Sequence, residues 1–591
     1  MKPTKYADQV GDLLVELGFT HCFFVAGGNI MHLLDSARSR FTCIPVVHEV
    51  TAGIAAEYFN ESDSNGKAFA LVTAGPGVTN IITAMSGAWL ESRELLVLAG
   101  QVKSSDLATG GVRQRGIQEV DGVGLTRATT KLSVQLSEPL PLAALEETIA
   151  LSWTGRPGPV FVEFCLDVQA APPVAGRTEP FLPNRPPTIS NEELSSVWTA
   201  LNSSERPLLL LGGGISRSTC RYLSDSLTNT GIPTMTTWNG ADRIESSSDV
   251  YVGRPNTWGQ RAANLLTAQS DLIVAVGTRL GLQQTGFKWQ EFGRGAKVIQ
   301  IDIDPAELTK GHPQVETSFA VDADDFLARL IHHGDWSTFR GRWAPWLAYC
   351  HSVRTLLPIV PEENSTSEGF VDPYGFISEL SELMNSHDIV IPCSSGGANS
   401  VTMQVLNQKR GQIVICNKGL ASMGYGLGGA IGASLAHHGR RTILIEGDGG
   451  FAQNLQDLAT VVVNRLPIKI FLFANDGYGS IRTTQKNYFG GAYLGCDTET
   501  GLGFPDWNLL FRAYGIRSVD IDAQWTTNPN VLELFSSEDP VAFVVPIDPL
   551  QTYWPKITSR ILANGSMQSN PLHEMSPPVS DAILNLVTKH L

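Results

Sequence analysis

Eight cysteines in 591 residues form no CxxC pair, and several stand inside apolar runs. That spacing argues against zinc and disulfides and reads as buried free thiols in a reducing compartment. No apolar run approaches the length of a membrane span. The opening MKPTKYADQVGDLLVELG has the pattern of an amphipathic helix and lacks the apolar segment of a signal peptide. Positive charge is also outnumbered. Lys and Arg number 43 against 58 Asp and Glu, and the net charge of −15 argues against a nucleic-acid partner. With 42% hydrophobic and 17% charged residues, the composition is that of an ordinary globular protein, and a cytoplasmic location is the expectation. The chain is too long for one core, and length alone implies about three or four domains.

What is present is concentrated between Thr442 and Arg482. An apolar run, Ile443-Leu444-Ile445, turns at Gly447-Asp448-Gly449-Gly450. An amphipathic segment continues to Asn464, and a second apolar run spans 468–473. The pattern is strand, helix, strand, with polar residues at both strand ends. In a right-handed parallel crossover those ends lie side by side, so Asp448 and Asn475 can meet although they stand 27 positions apart. A carboxylate and an amide oxygen, completed by a backbone carbonyl and water, suit Mg²⁺. The Gly449 and Gly450 amides at a helix N-terminus suit a phosphate. The expected ligand is a diphosphate carried on a metal ion, although a glycine turn alone is equally the mark of an ordinary parallel sheet.

Residues 1–180 alternate helix and strand: helices at 4–17, 30–38, 49–60 and 78–91, strands at 21–25, 43–47, 68–73 and 95–99. The fold class is α/β with a parallel sheet. Three strand ends carry polar or glycine-rich turns: Gly27-Gly28-Asn29, His48-Glu49, and Gly75-Pro76-Gly77-Val78-Thr79-Asn80. Glu49 follows an apolar strand and precedes the small-residue helix VTAGIAAEYF, so it is expected to be buried. That setting fits a carboxyl for proton exchange; the plainer alternative is a favourable interaction with the helix dipole.

Taken together, GDGG, the spacing and Asn475-Asp476-Gly477 resemble the metal-diphosphate motif of the thiamine-diphosphate (ThDP) enzymes. The resemblance implies metal ligation by Asp448, Asn475 and the backbone of Gly477. It implies that Glu49 contacts the aminopyrimidine ring and activates the cofactor, and that Met423, in Gly419-Leu420-Ala421-Ser422-Met423-Gly424, wedges the cofactor into its bent shape. Gly27, Gly28, Gly75, Asn80, Gly396, Gly397, Ala398, Ser422, Gly449 and Gly450 are the further positions implied to line the cofactor. The stretch GRPGPV at 155–160 is similar to the acetohydroxyacid synthase branch, where Phe-Gln-Glu stands near the reacting carbons. Here the triplet is Ile117-Gln118-Glu119, which keeps the glutamine, Gln118, and loses the aromatic ring.

The resemblance implies three doubly wound parallel-sheet domains: a pyrimidine-binding domain at 1–180, a central FAD-type domain at 190–345, and a diphosphate-binding domain at 366–555. Proline-rich connections at 170–190 and 357–373 separate them, and a tail at 556–591 covers a surface the sequence leaves unnamed. In the synthase branch the central domain carries FAD, and the matching positions are Gly212, Gly213, Gly214, Arg279, Asp302, Ile303, Asp322 and Ala323. The two cofactor-binding domains of this family come from different subunits, so the resemblance implies a homodimer or homotetramer. It also implies pyruvate as donor, with carbon dioxide leaving and an acetyl unit passing to an acceptor.

The acceptor is where the chain departs from true acetohydroxyacid synthases. Their carboxylate-binding arginine falls here at Gln283, and their tryptophan after the metal motif falls at Thr484. A neutral amide loses the charge-assisted bonding a carboxylate needs, unless Arg482 compensates. The stretches AGGNIMHLLDSA, VVHEVTAGIAAEYFNE and NDGYGSIRTTQKNYF resemble synthase-like enzymes that build branched sugars of the yersiniose type. The acceptor so implied is a ketone, such as that of a nucleotide-linked keto-deoxysugar. The alternatives are acetolactate synthesis from two 2-oxo acids, simple decarboxylation or aldehyde ligation, and a non-catalytic regulatory paralogue. The joint presence of Glu49, Asp448, Asn475 and Met423 argues against the last.

Overall fold

A computed structural model of the chain describes residues 4–591 apart from 177, 178, 180, 183, 335, 361 and 394. Ser394, in the turn that follows the strand expected at 387–391, and four positions of the 170–190 connection thus lie outside the described residues. Eighteen strands form three six-stranded parallel sheets, and a two-stranded antiparallel ribbon lies near the C-terminus. The first sheet comprises β1 (Phe19–Phe24), β2 (Thr42–Pro45), β3 (Lys67–Val72), β4 (Leu95–Gln101), β5 (Leu132–Leu136) and β6 (Pro159–Cys165), in the order 2-1-3-4-6-5. Helices cover both faces of such a sheet, so its strands are apolar on both sides. Every residue of β4 and of β6 is buried, Glu163 of β6 among them.

The central sheet holds β7 (Pro207–Leu211), β8 (Thr234–Thr236), β9 (Tyr251–Gly253), β10 (Leu272–Val276), β11 (Lys297–Asp302) and β12 (Thr317–Ala320), in the order 12-11-10-7-8-9. Counted within its own domain this is the 3-2-1-4-5-6 arrangement of dinucleotide-binding folds, with its order reversing between β7 and β10. The third sheet holds β13 (Ile389–Pro392), β14 (Ile413–Val414), β15 (Thr442–Gly447), β16 (Ile468–Ala474), β17 (Arg517–Asp520) and β18 (Val541–Pro546), in the order 14-13-15-16-18-17. Its pattern repeats that of the first sheet strand for strand. The reversals therefore fall between β1 and β3 and between β13 and β15, and ligands of open α/β sheets bind beside such reversals.

The chain divides into two compact units. One comprises Met1–Asn184, Ile389–Gly396 and Ile415–Val545, and so holds the first sheet and most of the third. Within it the Glu49–Glu61 helix is packed between the Pro76–Glu91 and Tyr425–Ala436 helices. Small residues make this possible. A Cβ on Gly432 would stand 2.1 Å from the Ala55 carbonyl oxygen, so only glycine lets the two backbones approach so closely.

The other unit comprises Arg185–Asp388, Gly397–Val414 and Pro546–Leu591. The Ser337–Leu356 helix, which runs through position 345, lays Trp346, Tyr349, Cys350 and Val353 into the core of the central sheet. The tail finds its place in this unit. Leu572 and Val587 enter the same core, and the Gln269 side chain donates 2.9 Å to the Val587 carbonyl. The surface it covers is the central sheet's outer layer.

One expectation is corrected. The segment from Phe451 to Asn464 is not a continuous helix. A short turn at Asp448–Phe451 and a 3-10 turn at Leu455–Asp457 precede a helix limited to Leu458–Val463. The cause is polar side chains bonding outside the helical ladder. Asn454 donates to Thr51 Oγ1 at 2.9 Å and to the Gly424 carbonyl at 3.2 Å, while Asp457 accepts from Val47 N at 2.8 Å.

Candidate active site

Asp448 opens the turn after β15, and Asn475 follows the last residue of β16, the neighbouring strand. The crossover brings them together as its handedness requires: the Asn475 N–H donates to Asp448 Oδ2 at 2.9 Å, and Gly449 N donates to Oδ1 at 2.7 Å. Asp448 is only 2% exposed. Burial pushes its carboxyl up to about 6, against the pull of the N–H groups of Gly449, Asn475, Gly477 and Asp476. Beside it the Asn475 Oδ1 is buried and accepts no hydrogen bond from any described group. A buried amide oxygen without a donor is costly unless something else binds it. A hard cation fits: carboxylate and amide oxygens, with the Gly477 carbonyl near by in sequence, form the oxygen set that Mg²⁺ prefers. No cluster of three or more His, Cys, Asp and Glu that could hold a metal occurs among the described residues, so any cation here depends on neutral oxygens as well.

Packing alone accounts for two of the glycines. A Cβ at Gly449 would stand 2.4 Å from the Tyr478 ring, and one at Gly450 would stand 2.6 Å from the Glu446 carboxylate. Gly28 and Gly396 differ, because a Cβ on either meets nothing within 4 Å, and Gly396 has φ +73°. Both stand beside open space at the strand ends flanking the sheet reversals. Gly397 and Ala398 belong to the other unit, where a Cβ at Gly397 would meet the Tyr553 ring at 2.6 Å.

Glu49 begins its helix, with the His48 side chain accepting from Val50 N to cap it. It is 7% exposed, and its Oε2 accepts from the Asn80 side-chain amide at 2.9 Å. Gly75, ahead of Asn80, takes φ +65°, and a Cβ there would stand 2.6 Å from the Gln118 carbonyl oxygen. Gln118 itself is exposed with φ +63°, a left-handed backbone that costs energy in any residue but glycine. Its neighbour Glu119, which the sequence offers only as part of a triplet, organises the whole loop. Desolvation opposes its charge, yet the N–H groups of Ala108, Arg115 and Gly116 hold its carboxyl below the usual range.

Met423 lies in the loop leading to the Tyr425–Ala436 helix, half-buried, with its sulfur 3.7 Å from the Gln453 amide nitrogen. Ser422 donates to the Met423 carbonyl at 3.0 Å, and Ala421 before it has φ +53°. A buried ionic cluster, missed in the sequence, ties this loop to the Glu49 helix. Arg93 donates to Glu57 Oε1 at 2.8 Å and to the Cys416 carbonyl at 2.7 Å, and the Tyr425 hydroxyl donates to the other Glu57 oxygen. Its only sequence signal is Glu57, a charge on a helix whose adjacent residues are small or apolar.

In the central domain the carried-over positions surround the end of β7 and its neighbours. Gly212 and Gly214 donate their N–H groups to Val276 and Gly277 carbonyls, each at 2.9 Å, while Gly213 is exposed. Asp322 caps the helix that Ala323 opens, accepting from Asp325 N at 2.9 Å, and Asp302 accepts from Asp304 N at 3.0 Å. Arg279 and Ile303 are half-buried. These groups already have structural partners, so the case for a dinucleotide here rests on sheet order rather than on unmet polar atoms. Gln283 and Thr484 are both exposed, Thr484 donating to the Ser480 carbonyl at 2.9 Å.

Sheets with reversals at glycine turns, a buried aspartate beside an unbonded amide oxygen, and a buried glutamate at a helix start define a cofactor enzyme built from two related α/β domains. Models of the thiamine pyrophosphate enzymes match in three parts: the N-terminal TPP binding domain over residues 4–125, the central domain over 194–330, and the C-terminal TPP binding domain over 395–545. The chain belongs to this family of thiamine pyrophosphate enzymes, and it is a C–C bond-forming enzyme of the acetolactate synthase type. It is 31% identical to the acetolactate synthase isozyme 2 large subunit of Escherichia coli (strain K12), over 95% of this chain and 97% of that protein. It is 28% identical to the isozyme 1 large subunit of the same organism, over 90% and 92%. Identity to an acetolactate synthase large subunit of Mycobacterium tuberculosis (strain CDC 1551 / Oshkosh) is 30%, over 85% and 81%. No described helix is long and apolar enough to cross a membrane.

Proposed function

We propose that the chain is a Mg²⁺- and ThDP-dependent carboligase that takes pyruvate as donor, releases carbon dioxide and transfers the two-carbon acetyl unit to an acceptor carbonyl. The observation that carries the reading is the buried Asn475 Oδ1 without a donor beside the buried Asp448 carboxyl. ThDP, when bound, supplies the nucleophilic carbon on which the donor is cleaved. The protein's part follows from its residues. Asp448, Asn475 and the Gly477 carbonyl hold the cation. The backbone of the Gly449-Gly450 turn and of Gly396 borders the diphosphate, and Gly27, Gly28, Gly75, Ser422 and Met423 complete the cradle. Glu49, oriented by the Asn80 amide, holds or releases a proton at the aminopyrimidine, and Gln118 contacts the reacting groups. Titrating ThDP into the purified protein with and without Mg²⁺ tests this; equal affinity in both would remove the metal from the reading.

For the acceptor we infer a neutral ketone, with a nucleotide-linked keto-deoxysugar as the finer expectation. Support comes from the absence of a cation at Gln283 and Thr484, and from Arg482, whose guanidinium is engaged with Asp497 and the carbonyls of Asn475 and Asp476. Acetolactate formation from a second 2-oxo acid is the competing reading, favoured by the names of the relatives. A product screen with pyruvate and either a ketone or 2-oxobutyrate separates the two.

FAD in the central domain is supported by the 3-2-1-4-5-6 sheet order, with Gly212–Gly214 and Arg279 following the two strands that flank its reversal. Flavin absorbance of purified protein tests it. The family resemblance supports a homodimer or homotetramer, which sedimentation at several protein concentrations tests.

A further inference from the structure

Arg482 lies in the first turn of the Gly479–Phe489 helix and is 6% exposed. A helical side chain leans toward the helix N-terminus, and this one reaches the loop that precedes its own helix. Nη1 donates to the Asn475 carbonyl at 3.5 Å, Nη2 to the Asp476 carbonyl at 3.3 Å, and Nε lies 3.4 Å from Asp497 Oδ2. The loop is also held by backbone: Gly477 pairs with Asp497 in an isolated antiparallel bridge, and Tyr478 N donates to the Cys496 carbonyl at 2.8 Å. Nothing larger than glycine fits between these supports. A Cβ at Gly477 would stand 2.6 Å from Arg482 Nη2 and 2.1 Å from the Cys496 oxygen. Asp497 is fixed in turn by Thr500, whose Oγ1 and N donate to Oδ1 at 2.7 and 3.0 Å.

The loop so enclosed needs support. Asp476 has φ +55°, in the left-handed region, so the free loop would relax toward commoner conformations. The guanidinium also selects among the oxygens. It donates to the carbonyls of Asn475 and Asp476, whereas the side-chain oxygen Asn475 Oδ1 accepts no hydrogen bond from any described group. We propose that Arg482 and Asp497 form a positioning pair that presets the 475–477 loop for its cation. Arg482 is therefore not a clamp for a substrate carboxylate. The proposal rests on the reading of Asp448 and Asn475 as metal ligands.

The test measures Mn²⁺ binding by electron paramagnetic resonance, in the presence of ThDP, together with thermal melting of the metal-free protein. Outer-shell partners typically set metal affinity by roughly 10- to 100-fold. Arg482→Gln is expected to weaken Mn²⁺ binding by that factor while the metal-free melting temperature stays near wild type. Arg482→Lys should recover part of the loss, and Asp497→Asn should weaken binding in the same direction, the double change adding little. If Arg482→Gln fails to fold, the lysine and Asp497→Asn variants carry the test. Mn²⁺ affinity within about twofold of wild type, with a raised KM for a 2-oxo acid, would overturn the pair and restore the clamp. A wild-type protein that binds no Mn²⁺ with ThDP would overturn the metal-site reading itself, a result the variant comparison cannot mimic.

Discussion

Two glycine-rich turns stand at equivalent places in this molecule, each at the end of a parallel strand beside a reversal of sheet order. The turn after β15 and the turn after β7 look alike as text: Gly447-Asp448-Gly449-Gly450 and Gly212-Gly213-Gly214. They differ in what surrounds them. The first holds a buried carboxyl pushed up to about 6 and a buried amide oxygen with no donor. In the second, Gly212 and Gly214 spend their N–H groups on adjacent backbone, and Asp322 spends its carboxylate on a helix cap. Glycine at a strand end records the tightness of a parallel fold, whereas an unbonded amide oxygen beside a buried carboxyl is an oxygen set that a cation can complete.

The sharpest way to break this comparison is to remove one turn's chemistry and look for an effect in the other. Asp448→Ala should abolish Mg²⁺-dependent ThDP binding, with the fold intact because the residue stands at a strand end. Flavin content, if flavin is bound, should not change. Arg279→Ala should do the reverse, lowering flavin content and sparing ThDP affinity. Retained ThDP affinity in Asp448→Ala, measured by equilibrium titration, would reduce the first turn to the status of the second. Next in size is Glu49→Gln, which keeps shape and removes the exchangeable proton. General acid–base groups contribute roughly 10²- to 10⁴-fold, so proton exchange at the C2 of bound ThDP, followed by quenched-flow NMR, should slow by that order while binding persists. Wild-type exchange in this variant would end the assignment.

How much of this was legible in the sequence follows the same division. Period and turn chemistry placed the strands of the first domain to within a few residues, because buried parallel strands are continuous apolar runs. The crossover rule brings Asp448 to Asn475 from the strand order alone. The break in the helix after Phe451 was not legible, since it depends on Asn454 and Asp457 bonding to Thr51 and Val47, about 400 positions away. Arg482 was read as a spare cation for the same reason: its partners at 475–476 and 497 are set by loop geometry, which periodicity does not encode. The tail's location was invisible because Leu572 and Val587 are single apolar residues in an irregular stretch.

The ionic cluster under the Glu49 helix gives a third test, of what holds the first turn's surroundings in place. Burial pushes Glu57 up to about 7 from its ordinary 4.5, despite the opposing effects of Arg93 and the Tyr425 hydroxyl; Glu91 adds to the upward shift. Folded Glu57 thus holds its proton more tightly than unfolded Glu57. Its contribution to stability is complete below about 4.5 and is lost as pH rises through about 7. Melting curves should show wild type losing stability relative to Glu57→Gln across that window. Glu57→Ala removes one of two carboxylates on Arg93, Glu61 remaining 3.6 Å from its Nε, and should cost about 1–3 kcal/mol, the cost of a buried donor that loses its acceptor. A pH dependence identical in wild type and Glu57→Gln would show that the cluster does not titrate as one.

The smallest expected effect concerns the acceptor, and it asks whether the central domain contributes selectivity at all. Gln283, near the end of β10, and Thr484, on the helix after β16, are exposed, uncharged, and stand where the synthase resemblance expects an arginine and a tryptophan. Arg482 cannot stand in for them while its guanidinium is engaged with Asp497 and the 475–476 carbonyls. The wild-type enzyme should therefore couple pyruvate to a neutral ketone in preference to 2-oxobutyrate. Gln283→Arg with Thr484→Trp should move that preference toward the 2-oxo acid by about 1–3 kcal/mol, the value of a charge-assisted hydrogen bond to a carboxylate. Product ratios from direct competition between a cyclic ketone and 2-oxobutyrate measure this without separate rate constants. A wild-type preference for 2-oxobutyrate, unchanged in the double variant, would place the carboxylate site elsewhere and make acetolactate-type synthesis the function.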